Sequence, residues 1–267
     1  MILFVFNWIK RQKMKRNYAK EFAEEFKHLD ARFKGVETFV KQVGNGKIRS
    51  LIVNGHPGIG KTHSITKFLE TYAKGNYTVL QGRVTLLSLY ATLHAFKNKG
   101  KVVVLDDVDS VFSDVQGLNI LKAVMDTTAK RQVHWLSTGG RLNTMGLPDN
   151  FIFNGGVILI SNVGFGGGTS RLVAHLTALK DRSYCVPIAD SGQDSLFKQI
   201  CYMVLKRNLM TELKVPKKDQ MMLLEFIDTN KDQLNTVSLR TVVKLVEIFN
   251  IDKTNWKEMA TVGLLKA

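Results

Sequence analysis

Two cysteines in 267 residues, Cys185 and Cys201, leave no room for a disulfide framework, and their spacing matches no metal-ligand pattern. They read as reduced core thiols of a cytosolic protein. Long apolar runs are also missing. The opening "MILFVFNWI" has nine mostly apolar residues where a bilayer span needs about 20. Its charges follow the apolar run, the reverse of a secretory signal. It remains readable as an interfacial anchor, as a helix-docking segment, or as a stretch ahead of a true start at Met14. Acidic residues are scarce, 23 against 38 Lys and Arg, for a net charge of +15. That excess points to a polyanionic partner, nucleic acid first. No internal repeat and no long low-complexity linker is present, which sets aside repeat arrays.

What is present is alternation. Tyr18, Phe22, Phe26, Leu29 and Phe33 recur at helical spacing with charges between them, and "GNGK" (Gly44 to Lys47) ends that helix. Apolar strands at "RSLIVNG", "NYTVLQGR", "KVVVLDD", "GGVILISN" and "YCVPI" then alternate with helices such as "LLSLYATLHAFKN" and "LNILKAVMDTTAKR". Such spacing predicts a parallel α/β sheet with helices on both faces. After about Ala189 only helical periodicity remains. The expected organisation is an N-terminal basic helical segment over 1–43, a three-layer αβα P-loop core over 44–190 and a small all-helical lid over 191–267.

"GHPGIGKT", Gly55 to Thr62, matches G-x-x-x-x-G-K-[ST] and lies between an apolar strand and a helix, the context that pattern needs. Glycines at 55, 58 and 60 let backbone N–H groups turn inward around phosphates. Lys61 faces the β- and γ-phosphates, and the Thr62 hydroxyl can ligate Mg2+. The expected ATP contacts are Gly55, His56, Pro57, Gly58, Ile59, Gly60, Lys61, Thr62 and, one residue further, His63.

The strand "VVVLDD" ends in carboxylates, which need a cation nearby if the strand is buried. Asp106 is expected to hold Mg2+ with Thr62, directly or through water. Asp107 is expected to polarise an attacking water. Asp109 reads as a loop residue, capping or turning the chain.

Together these motifs resemble an AAA+ ATPase, and the wording "LDDVDSVFSDVQGLNILKAVMD", "FIFNGGVILISN" and "ALKDRSYCVPI" resembles AAA+ proteins encoded by bacteriophages. The resemblance implies an ATPase with Asn162 as sensor 1, Arg182 (or Arg171) as the arginine finger, and Arg240 in "SLRTVVKL" as sensor 2. It implies a homo-oligomeric ring, with six subunits the count the resemblance suggests, in a bacterial or phage-infected cytoplasm. Many members carry Glu where this chain has Asp107, so slow turnover is one expectation.

The working partner stays open. The segment "QGRVTLLS" has no aromatic residue before Tyr90, unlike protein-threading loops of the family, and carries Arg83, which suits a phosphate backbone. "STGGRLNTMGLPDN" (Ser137 to Asn150), with Arg141, lies between segments that read as a hairpin. "VGFGGGTS" reads as a flexible connection, and Lys10, Arg11, Lys13, Lys15 and Arg16 make the start the most basic region. The two expectations are a DNA-acting motor or loader in replication, recombination or packaging, and a protein-remodelling chaperone. A nucleotide-dependent switch is a third.

Overall fold

The computed structural model describes residues 16–112, 114–135, 141–162, 177–188 and 192–266. In chain order the elements are α1 (Tyr18–Glu21), α2 (Ala23–Gly44), β1 (Ser50–Asn54), α3 (Lys61–Tyr72), β2 (Tyr77–Gln81), α4 (Leu86–Ala95) and β3 (Val102–Asp106). They continue with α5 (Asp109–Phe112), α6 (Val115–Met125), β4 (Gln132–His134), α7 (Arg141–Thr144), β5 (Asn150–Ile152), β6 (Gly156–Ser161) and β7 (Tyr184–Pro187). The chain ends with α8 (Gln193–Leu205), α9 (Leu209–Glu212), α10 (Lys217–Asn230), α11 (Leu239–Ile251) and α12 (Trp256–Leu264). They divide into two compact units, one covering Ala31–Ser191 and the other joining the residues up to Asp30 with Gly192–Ala267.

The first unit is the α/β core. Its five strands are all parallel, in the order β2-β3-β6-β1-β7. Every residue of β3 and β6 is buried, which is why both read as continuous apolar runs rather than alternating ones. The register pairs Asp106 with Ile160 and Asn54 with Ser161. This brings the carboxyl ends of β1, β3 and β6 side by side, and the site is built on them. Helix α4 stops at Ala95, short of its expected end, because the chain is needed elsewhere: Asn154 N donates to the Lys97 carbonyl at 2.6 Å.

The hairpin expected around residues 132–152 is present as the antiparallel pair β4 and β5. Its apolar side packs on α4. The Tyr90 ring lies 5.2 Å from Trp135 and 5.1 Å from Phe151, and its hydroxyl donates to the Pro148 carbonyl at 2.8 Å. Burial and the nearby Asp149 push that phenol up to about 12. Arg131 starts the hairpin as a buried cation with backbone partners, donating to Val124 O at 2.7 Å and Gly155 O at 2.9 Å beneath the Phe153 ring. The "KR" pair in the sequence gives no sign of this.

In the helical unit Tyr18 and Phe22 both pack edge-on against Phe197, at 5.5 and 6.2 Å, and Phe26 meets Tyr202 at 5.7 Å. Residues 16–30 thus supply part of this unit's core. Arg16 pairs with Glu21 and Asp228, and the Tyr18 hydroxyl donates to Asp228 at 3.0 Å. Phe249 and Phe226 flank Trp256. The Cys201 thiol is buried here and its pKa is pushed up, first by desolvation. Among the described residues no helix is long and apolar enough to cross a membrane.

Candidate functional site

The segment after β1 turns tightly. Gly58 and Gly60 have φ of 74° and 88°, values a side chain would strain. Gly60 is the N-cap of α3 and has no side chain to satisfy the helix's first N–H groups, so these donors are left for a ligand. Ile59 is buried and pins the middle of the loop. His56 and His63 are exposed on either side of it.

Lys61 is buried, yet its charge is met. Its ammonium donates to the carbonyls of Gly55 at 2.8 Å and His56 at 2.9 Å, and to Asn162 Oδ1 at 2.7 Å. Asn162 lies 101 positions away and just past the end of β6. Its amide nitrogen donates in turn to Asp107 Oδ1 at 2.6 Å. Lys61, Asn162 and Asp107 therefore form one hydrogen-bonded row. Asp107 has φ of 51°, a left-handed backbone that turns the chain out of β3 while its N–H approaches Ile160 O at 3.5 Å. Beside this row the Thr62 hydroxyl donates to Asp106 Oδ2 at 2.9 Å, with Asp106 almost fully buried. Two hard oxygen donors that close together suit Mg2+, and a buried ammonium amid inward-turning backbone suits the phosphates of ATP. The residues present fit both groups.

No family model matches the chain. A curated relative, the "Uncharacterized 36.7 kDa protein in nrdC-mobD intergenic region" of Enterobacteria phage T4, is 32% identical over 252 residues. The match spans 91% of this chain and 76% of that protein. The chain belongs to the family of this phage protein. Among solved structures, RuvB of Thermotoga maritima, described as a Holliday junction branch migration motor, aligns with 88% of this chain and 68% of its own. Its TM-score is 0.51 at 12% identity. A point mutant of the same RuvB covers 89% of this chain and 69% of its own, with a TM-score of 0.53 at 13% identity. At such identities the likeness is one of fold, and the fold is that of AAA+ ATPases: a parallel α/β P-loop core followed by a helical part.

Within this fold Arg182 lies apart from the row. Arg182 follows the helical turn at 177–181, and its carbonyl accepts from Ser50 Oγ at 3.1 Å, at the amino end of β1. The phosphate loop leaves the carboxyl end of the same strand. Arg182 is thus on the far edge of the sheet from its own phosphate loop. Its Nη1 donates to Ala178 O at 2.7 Å and its Nε is buried 4.0 Å from Asp126 without a hydrogen bond among the described residues. Arg240 is exposed in the first turn of α11, which Ser238 caps by accepting from Thr241 N at 3.4 Å. Asp109, expected in the loop as a capping or turn residue, opens the short helix α5. Arg171, the segment "VGFGGGTS" and the basic start through Lys15 lie outside the described residues, as does the side chain of Arg141.

Sequence reading missed Ser110. Its hydroxyl accepts from Val84 N at 3.1 Å and donates to Val84 O at 3.2 Å, clipping the loop that carries the exposed Arg83 to α5. That loop follows β2 and so sits at the same sheet edge as the phosphate loop. A lone Ser after three aspartates offers no periodic signal for such a clip.

Proposed function

We propose that the chain is an ATPase that works on DNA, with ATP held by Gly55–Thr62 and His63. The observation that carries the reading is the row Lys61–Asn162–Asp107 beside the pair Thr62–Asp106. This arrangement supports the roles that triphosphate hydrolysis requires. Lys61 and the open N–H groups of α3 would bind the β- and γ-phosphates. Thr62 and Asp106 would hold Mg2+, which when bound supplies neutralising charge on the phosphate oxygens. Asp107 would accept the proton of the water that attacks the γ-phosphorus while the bond to the β–γ bridging oxygen breaks. Asn162 would hold that water and Asp107 in line.

Arg182, sited away from its own loop, is assigned to the phosphates of a neighbouring subunit, and Arg240 to sensing the nucleotide from the helical unit. The first assignment needs an oligomer. The DNA part rests on the net charge of +15 and on the likeness in fold to a branch migration motor. The specific role, in replication, recombination or packaging, follows from that reading as a proposal. A slow switch is the second reading, favoured by the short Asp107 carboxylate already engaged by Asn162.

The test is phosphate release with and without single- and double-stranded DNA, in wild type and Lys61→Ala. The expected outcome is DNA-stimulated turnover that Lys61→Ala abolishes. Normal turnover by Lys61→Ala would sink the site. Stimulation by a protein partner with no response to DNA would transfer the chain to protein remodelling.

A further inference from the structure

The sheet edge opposite the phosphate loop carries a charge pattern that the proposed catalytic site does not use. All five strands are parallel, so their amino ends share one edge. The segments leading into them are knit together there. Val102 N donates to Asn76 O and Gly156 N to Lys101 O, both at 2.8 Å, while Val157 N donates to Arg49 O and Phe153 N to Arg131 O, both at 2.9 Å. Residues 44–49, 73–76, 96–101, 127–131 and 153–156 contain no Asp or Glu.

They contain many cations. Lys47, Lys74, Lys99 and Lys130 are exposed, and Lys101 lies half-buried over the Phe96 ring at 5.4 Å. None of these ammonium groups pairs with a carboxylate among the described residues. The adjoining Asp126 is already engaged, accepting from Thr127 N at 2.7 Å and facing Arg182. Lys180 and Asp181, next to β7, offset each other. Arg49 and Arg131 spend their donors on backbone carbonyls and add positive potential to this edge. Exposed Asn45, Asn76, Asn98 and Asn154 stand between the lysines.

We propose that this edge binds the phosphate backbone of duplex DNA. Lysines and asparagines in turns are typical phosphate donors. Five strands side by side span roughly 19 Å, the length over which a duplex presents about 11 charges. The five segments named above expose no large apolar or aromatic side chain, and Tyr184, exposed at the amino end of β7, packs its ring 5.1 Å from Phe39. A single aromatic already engaged by Phe39 is little to insert into a bilayer or to stack on a run of unpaired bases. Which surface meets DNA rests on the DNA reading above and is independent of the catalytic assignments.

The experiment uses the full chain with Lys47, Lys99 and Lys130 changed together to Gln. Fluorescence anisotropy on a labelled duplex over a salt series reads affinity, and a fluorescent ATP analogue reads the nucleotide site. The expected result is at least a tenfold weaker duplex affinity near 0.1 M salt, with the slope of log affinity against log salt reduced by about 2.7. Analogue binding and unstimulated hydrolysis stay unchanged. Wild-type affinity and slope in the triple variant would overturn the surface while leaving the DNA reading standing. Absence of salt-sensitive duplex binding by the wild type would remove both. Binding to phosphatidylserine vesicles without binding to DNA would overturn the proposal in favour of a membrane.

Discussion

Asp107 departs from the family pattern in length and from ordinary strands in backbone. Its φ of 51° lies where Asp and Asn are the side chains best tolerated after Gly. The short acid and the left-handed turn are therefore matched: a Glu here would strain the turn that points the carboxylate at Asn162. Asp107→Asn keeps the turn and the acceptor for Asn162 but cannot take a proton. It should fall 10²- to 10⁴-fold in turnover, by roughly the contribution of a general base, with an unchanged thermal midpoint. Asp107→Glu should lose about 1 kcal/mol in urea denaturation from the backbone alone. Turnover in Asp107→Asn near wild type would take this residue out of the mechanism. The doublet Asp106-Asp107 was legible as carboxylates ending a buried strand beside the phosphate loop, where the structure has Asp106 bonded to Thr62 and Asp107 to Asn162. The left-handed turn was not, since two adjacent aspartates carry no dihedral signal, and neither was the Lys61–Asn162 bond, which joins positions 101 apart.

At the scale of elements, glycines separate helix propensity from packing. Gly35 lies within α2 and a Cβ there would meet nothing within 4 Å, so Gly35→Ala should raise stability by about 0.5–1 kcal/mol. A Cβ on Gly155 would stand 2.4 Å from the Phe96 carbonyl oxygen, a backbone atom that cannot rotate away. Gly155→Ala should therefore lose more than about 2 kcal/mol, the range of overpacking. Chemical denaturation of both variants checks the pair. The hairpin offers a pH test. His94 lies 5.2 Å from Phe151 with its Nε2 2.8 Å from Lys97 Nζ, and desolvation followed by that ammonium lowers its pKa. A folded value below the unfolded one means the neutral ring favours the folded state. This stabilisation is full above about 6.5 and is lost as pH falls through the lower folded value. Trp135 fluorescence should change in that window and the change should vanish in His94→Asn; persistence in the variant would assign it to another group. Strands and hairpin were legible from apolar runs between turn residues, whereas the burial of Arg131 was not, because nothing local marks carbonyl partners brought by the fold.

At the scale of the whole molecule, the resemblance located a helical tail, and the structure adds residues 16–30 to that tail's core through Tyr18, Phe22 and Phe26. Long-range aromatic pairing leaves no trace in a local pattern, so a basic N-terminal segment was all that spacing could give. Arg182 lies on the far edge of the sheet from its own phosphate loop, so the finger role proposed for it is testable between subunits. If this guanidinium serves a neighbour's phosphates, a working site needs Asp107 from one subunit and Arg182 from the next. Arg182→Ala and Asp107→Asn should each be nearly inactive alone. Mixed in equal amounts, a head-to-tail ring places an intact loop beside an intact finger at about one interface in four. The mixture should regain roughly that fraction of wild-type phosphate release, and dilution below the assembly threshold should abolish the gain. If mixing restores nothing while sedimentation shows that mixed oligomers form, Arg182 acts only within its own subunit. Its contacts to Ala178 and Asp126 would then be its whole role.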